Sequence, residues 1–339
     1  MTEKNFGELP EADIEIQGKP KPASEFLNEY CKTLGNGTLE LIGIKTGFAK
    51  LDKATLGLDG LIVLGGIAGA GKTSFALHLA LEACDFGTPT LFYSLEMPRR
   101  AILTKILNRL AKVGYSDILL KGGQYLGGKE AGQYGISKDQ QAQLEAGKKL
   151  LEDIGKKFYI RSRERGEVEI DFDTVEQEIN FLKAEHKSER VFVIIDHLQV
   201  FNAGDYKDQI DKEGKLITGF KGISERTGAT ILLISQKNKA GFSSTGLQTI
   251  KGSVDIVYLA DVVMFLESES EKPKKWEKKK ESGQSEQDIE LTDRISITAH
   301  FGGRGAMPID LVIDKNRYNA PTTIKLQFNG EFSEFTEMP

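Results

Sequence analysis

The residues Gly66-Ile67-Ala68-Gly69-Ala70-Gly71-Lys72-Thr73 fit the pattern G-x-x-x-x-G-K-[S/T] in full. Glycines let a backbone fold closely around phosphate oxygens, so that successive N–H groups and a helix N-terminus point at negative charge. In such a loop Lys72 reaches the β- and γ-phosphates and the Thr73 hydroxyl takes a place on Mg²⁺. The expected nucleotide contacts are therefore Gly66, Ala68, Gly69, Ala70, Gly71, Lys72, Thr73 and Ser74. A glycine-rich strand–helix turn without a ligand is the alternative, but the flanks fit the loop: apolar Leu61–Leu64 precedes it and the helical pattern Ser74–Phe86 follows.

A phosphate loop does not name a reaction. In open α/β sheets ligands lie beyond the carboxyl ends of the strands, and three further strand ends carry polar groups. Thr90–Tyr93 runs into Ser94-Leu95-Glu96-Met97, Val191–Ile195 into Asp196-His197, and Thr230–Ile234 into Ser235-Gln236. Asp196, after a purely apolar run, suits the Mg²⁺-side carboxylate. Glu96 suits the base that orients or deprotonates an attacking water. Gln236 suits a hydrogen-bonding sensor of the γ-phosphate. Each of these alone reads more readily as a solvated strand-end residue; three beside a complete phosphate loop reverse that weighting.

The elements that must position these residues follow from periodicity. The apolar runs Leu61–Leu64, Thr90–Tyr93, Phe158–Ile160, Val191–Ile195, Thr230–Ile234 and Val262–Leu266 lack strict alternation, as strands covered on both faces do. Helical patterns lie between them, with Ser137-x-x-Gln140 and Thr174-x-x-Gln177 both reading as capping boxes. Strand–helix alternation predicts an α/β fold with a mostly parallel central sheet. Arg294–Ala299, Ile309–Ile313 and Thr323–Phe328 read as strands of an antiparallel hairpin region. Residues 1–22 are polar and proline-bearing, an expected disordered arm. An apolar stripe over Ala23, Phe26, Leu27, Tyr30, Cys31 and Leu34 then predicts a linker helix over 23–36, with Ser24 as its cap. The main domain is expected over 37–335, interrupted by a charged mobile insertion at 267–290, with 336–339 as a tail.

Composition narrows the classes. No run approaches the length of a membrane-spanning helix, and Met1-Thr2-Glu3-Lys4 does not open a signal peptide. Cys31 and Cys84 form no CxxC pair, which excludes a disulfide framework or four-cysteine zinc module and points to a reducing cytoplasm. The net charge of −5 argues against wholesale coating of nucleic acid, though not against a local basic channel.

The chain resembles the RecA-like ATPases, in particular the motor domain of DnaB-type replicative DNA helicases. The resemblance rests on Thr46-Gly47-Phe48-Ala49-Lys50-Leu51-Asp52, the phosphate loop, Phe92-Tyr93-Ser94-Leu95-Glu96-Met97, Ile194-Ile195-Asp196-His197-Leu198-Gln199, Ile234-Ser235-Gln236 and Lys315-Asn316-Arg317-Tyr318-Asn319-Ala320-Pro321. The ending Lys325–Phe335 is also similar, so the likeness runs from about Gly43 to Phe335.

That resemblance implies an ATP- and Mg²⁺-dependent helicase or translocase on single-stranded DNA in replication, moving 5′ to 3′. It implies a homo-oligomeric ring, a hexamer, with nucleotide sites at subunit interfaces, and makes Lys315 and Arg317 cations offered to the neighbouring subunit's γ-phosphate; composition alone favours two surface residues at a strand end. It puts DNA against loops at about 201–215 and 237–251, where Lys237, Lys239, Phe242 and Lys251 suit phosphate contact without base reading. Some features depart from the family. Residues 1–22 are too short for the helical N-terminal domain that meets primase, which counts against primase coupling. The family's Tyr after the metal-side Asp is His197, and Lys251–Asp261 is closer to RadA- or KaiC-like relatives. The alternative reading is accordingly a recombination or remodelling ATPase that binds DNA without processive unwinding.

Overall fold

The computed structural model describes residues 22–34, 41–119, 137–163, 170–202, 204–236, 258–268 and 306–339. The chain divides into two units, Met1–Glu40 and Leu41–Pro339. In the first, α1 spans Ala23–Leu34, with Phe26 and Leu27 exposed. The Glu25 N–H donates to the Pro22 carbonyl at 3.0 Å. The helix therefore starts at Ala23, and Ser24 lies inside its first turn rather than capping it.

In the second unit the described strands form one nine-stranded sheet. They are β1 (Leu61–Gly65), β2 (Thr90–Ser94), β3 (Phe158–Ser162), β4 (Phe192–Asp196), β5 (Thr230–Ile234), β6 (Val262–Ser268), β7 (Ala306–Asn316), β8 (Thr322–Asn329) and β9 (Glu334–Glu337). The spatial order is β3-β2-β4-β5-β1-β6-β7-β8-β9, parallel as far as β6 and antiparallel beyond it. The parallel strands read as continuous apolar runs because both faces are covered. Successive side chains alternate between faces: Ile62 and Leu64 join Phe75, Leu79, Ile102 and Ile106 on one side, while Leu61 and Val63 join Val175, Ile179, Leu216 and Phe220 on the other.

The helices that supply those layers are α2 (Ala49–Thr55), α3 (Lys72–Asp85), α4 (Arg99–Ala111), α5 (Lys138–Ile154), α6 (Phe172–His186) and α7 (Gln209–Thr227). The Ser137/Gln140 capping box forms at α5 with both of its hydrogen bonds. The expected box at Thr174 does not form. Asp171 caps α6 by accepting the Thr174 N–H at 2.8 Å, so Thr174 lies inside the first turn. A carboxylate three residues upstream meets the orphan N–H groups of the helix start before the threonine hydroxyl can.

Several strand boundaries also move. Asp196 closes β4 rather than following it, because it still pairs with Ser94 and its carbonyl accepts the Leu95 N–H at 2.8 Å. Glu267 and Ser268, which composition assigns to the insertion, pair with Asp310 and Ile309 and are buried in β6. Thr336 and Glu337 pair with Gln327 and Leu326, so residues expected in the tail belong to β9. The strand expected at Arg294–Ala299 and the rest of the 267–290 stretch lie outside the described residues, as do Lys237, Lys239, Phe242 and Lys251. No helix among the described residues is long and apolar enough to cross a membrane.

Candidate active site

At the carboxyl end of β1 the backbone leaves the sheet at Gly66 and winds through Gly69 and Gly71, which have φ of +85° and +84°, before α3 begins at Lys72. The left-handed region favours glycine at those two positions. Gly71 is also pinned from below, since a Cβ there would lie 3.0 Å from the Phe335 ring and 3.3 Å from the Phe328 ring. The strands β8 and β9 thus form the floor on which the loop rests. Phe335 is stacked on Phe328 with ring centroids 4.4 Å apart and meets Phe75 of α3 edge-on at 5.2 Å.

Above this floor lies a cavity of about 390 Å³. Ala68, Gly69, Gly71, Lys72, Thr73 and Ser74 line it, as do Glu96, Asp196 and Gln236 from three other strand ends. The carboxyl ends of four parallel strands therefore converge there, as expected for an open α/β sheet. Gly66 contributes its backbone, its carbonyl accepting from the Lys72 amine at 2.7 Å. The Lys72 amine also donates to the Ile67 carbonyl at 2.7 Å, which holds it across the mouth of the loop. Ala70 is buried in the core beneath. Lys315 and Arg317 do not line the cavity.

Thr73 Oγ1 donates to Asp196 Oδ2 at 2.8 Å. Burial pushes the Asp196 carboxyl above the usual carboxylate range, against the Thr73 hydrogen bond and the neighbouring His197 and Lys72 side chains, which pull it down. A buried carboxylate paired with a hydroxyl at the edge of a phosphate cradle is a hard-oxygen set of the kind Mg²⁺ would take. These residues fit the ion that the loop motif implies. His197 is buried between the other two polar ends. Its Nδ1 lies 3.2 Å from Glu96 Oε2 without hydrogen-bond alignment, and its Nε2 lies 3.5 Å from Gln236 Nε2. The Asp196–His197 peptide bond is cis.

Sequence reading missed several members of this wall, Lys105 first among them. Its amine lines the cavity 3.5 Å from Ser74 Oγ. Burial holds its pKa below the usual lysine value while the Asp196 charge pulls it back up. Its signal was present in α4: Lys105 falls at i+3 from Ile102 and beside Ile106, so a cation sits on the apolar stripe that faces the sheet. Phe328, Gly330 and Ser333 also line the cavity, brought there by the β8–β9 hairpin, whose Phe335 packs on Phe75 of the sequence-distant α3.

Arg317 lies at the other end of β1, and the Lys315 amine, extending from within β7, reaches the Ala260 carbonyl at that same end. The Arg317 N–H donates to the Asp261 carbonyl at 2.9 Å, and the Asp261 N–H donates to the Leu61 carbonyl at 2.7 Å. Leu61 opens β1 and Gly65 closes it, so the length of the strand, roughly 13 Å at about 3.3 Å per residue, separates that point from the phosphate loop. Comparison with known proteins agrees with this architecture. The model of the DnaB-like helicase C terminal domain matches residues 43–337. The chain belongs to that family.

The replicative DNA helicase DnaB of Helicobacter pylori strain ATCC 700392 / 26695 is 25% identical over 321 residues, covering 89% of this chain and 61% of the relative. DnaB of Haemophilus influenzae is 25% identical over 306 residues, covering 87% of this chain and 55% of its own length. The chain thus spans about three-fifths of the curated relatives it matches. Among solved structures, an isolated ATPase domain superposes with a TM-score of 0.72 at 17% identity, covering 94% of this chain and all of that one. A DnaB-like replicative helicase, solved for its interactions with primase, gives 0.70 at 16% identity, covering 95% of this chain and 68% of that one. These likenesses establish a RecA-like DnaB fold.

Proposed function

We propose that this chain is the ATP-hydrolysing motor of a ring-forming DNA helicase, acting on single-stranded DNA in replication and working in the cytoplasm. The observation that carries the reading is the placement of two half-sites at opposite ends of β1. One is a cavity with a phosphate loop, a buried Asp196 and exposed Glu96; the other is the end of β7, which carries Lys315, and the turn after it, which carries Arg317. Arg317 is held on Asp261 at the far end of β1 and does not line the cavity, so it does not complete that site in its own chain. Cations placed this way complete a site only across a seam between copies, and a closed ring, here a hexamer, gives every pocket such a neighbour.

In this reading the loop N–H groups and Lys72 bind the β- and γ-phosphates, and Lys105 adds a second cation from the α4 side. Thr73 and Asp196 hold Mg²⁺, which when bound neutralises developing charge on the phosphoryl oxygens. Glu96 accepts a proton from, or orients, the attacking water, and Gln236 hydrogen-bonds the γ-phosphate edge. Lys315 and Arg317 of the next subunit stabilise the transferring group, a contribution of about 10³–10⁵ in rate for a guanidinium offered in trans. Lys237, Lys239, Phe242 and Lys251 bind the DNA backbone. The 5′ to 3′ direction follows the family.

Complementation tests the shared site. Lys72→Ala has a dead pocket and a sound Arg317; Arg317→Ala has the reverse. Each alone is expected to lose DNA-stimulated hydrolysis, and each mixed with wild type should poison it. Mixed with one another they should regain part of it, because some seams pair a sound pocket with a sound cation. Full turnover by Arg317→Ala alone would refute the shared site. Strand displacement on a forked duplex separates a helicase from a remodelling ATPase that only binds DNA.

A further inference from the structure

Asp261, at the start of β6, lies outside the cavity and is 2% exposed. A buried carboxylate is costly unless charged or hydrogen-bonding partners surround it. Its Oδ2 accepts the Leu61 N–H at 2.8 Å and the Lys221 amine at 2.8 Å, and its Oδ1 accepts Lys221 again at 3.2 Å. These partners already satisfy the charge. Arg317 Nη1 nevertheless also sits on Oδ1, at 2.6 Å, with its side chain 52% exposed. Because the guanidinium is half in solvent, which screens it, and Lys221 already pairs with the carboxylate, this second cation is not what keeps Asp261 satisfied. What it does is fix the direction of a guanidinium.

The surroundings are built for the same end. The Lys315 amine donates to the carbonyls of Tyr258, at 3.1 Å, and Ala260, at 2.5 Å. Asn316 and Asn319 both donate to the Ala54 carbonyl, at 2.8 and 2.9 Å, and the Tyr318 hydroxyl donates to Asp59 at 2.9 Å. The turn is thus clamped on both sides of Arg317. Close approach requires the glycine at position 60, where φ is +74° and a Cβ would lie 2.2 Å from Asp261 Oδ2.

We propose that Asp261 is a positioning residue for Arg317, gripping one nitrogen of the guanidinium so that its remaining donors face a phosphate bound by a second copy of the chain. This rests on the reading that Arg317 acts in trans. Asp261→Asn keeps an acceptor for the Leu61 N–H and removes the charge that orients the arginine. The expected result is a fall in kcat of about 10- to 100-fold, the loss typical of a misplaced group, with KM for ATP within about threefold because the chain's own pocket is untouched. Lys221→Met, which removes the other cation, is expected to leave kcat near wild type.

Mixing supplies the decisive readout. Asp261→Asn chains have sound pockets and badly aimed arginines, so adding Lys72→Ala chains should raise turnover above the mean of the two alone. No rise, or a kcat that follows melting temperature across Asp261→Asn and Lys221→Met, would make Asp261 a structural residue and overturn the proposal. An inactive Arg317→Ala beside a fully active Asp261→Asn would also overturn it while leaving the trans reading in place. Full activity of Arg317→Ala would instead remove the trans reading itself.

Discussion

The two ends of β1 are built on opposite plans. At the carboxyl end, backbone N–H groups, glycines and strand-end side chains close round a concave space, and the charged groups Lys72 and Asp196 are buried beside it. At the amino end, hydrogen bonds from Asn316, Tyr318 and Asn319 stiffen a turn from which Arg317 projects, half exposed. A group that binds its own chain's ligand gains from desolvation; under the proposal that Arg317 serves another chain, it must stay accessible and take its order from neighbours such as Asp261. The contrast teaches that a site can be recognised by its cavity only when all of its parts come from one chain.

Four measurements would break or sharpen that contrast, in descending order of effect. Lys72→Ala and Arg317→Ala should each lower DNA-stimulated hydrolysis by about 10³-fold or more. Nucleotide affinity, read by a fluorescent analogue, should drop for the first and hold for the second. Glu96→Gln should lower kcat by about 10²- to 10⁴-fold, the range for a positioned base, while leaving nucleotide binding intact; a change in KM alone would remove Glu96 from the chemistry. Gly71→Ala puts a Cβ against Phe335 in a left-handed conformation. It should destabilise the fold by about 1–2 kcal/mol and weaken nucleotide binding together, checked by melting with and without ATP. Asp171→Ala removes the cap of α6, a residue that neither lines the cavity nor touches Arg317, and should cost about 1 kcal/mol in a chemical melt with turnover per folded molecule unchanged.

A separate measurement addresses residues 237–251. Replacing Lys239 and Lys251 by Ala should weaken DNA binding for all sequences, lowering the salt slope of log K by about one per lysine removed. An unchanged slope would put the DNA elsewhere on the molecule.

The sequence made the carboxyl end of the sheet legible because its signals are local. The phosphate loop is contiguous, and Glu96, Asp196 and Gln236 each follow an apolar run whose strand character is evident. Lys105 was harder, since a lysine on an amphipathic helix usually faces water; only its place between Ile102 and Ile106 betrays it. The floor of Phe328, Gly330 and Ser333 depends on β8 pairing with β9 beneath α3, a contact between residues more than two hundred positions apart that no local pattern encodes. The Asp261 clamp is hidden for the same reason, its partners Leu61, Lys221 and Arg317 being drawn from three elements. At α6 a local pattern misled, because two residues competed for one cap and the aspartate won.

The hairpin of β7 and β8 has an end in each half-site: its turn carries Arg317, and its far end supplies Phe328 to the cavity wall. In the ring proposed above, this ribbon would have one foot under a subunit's own phosphate loop and the other beside its neighbour's. Under that proposal, nucleotide bound in one pocket would be felt at the next through the hairpin itself.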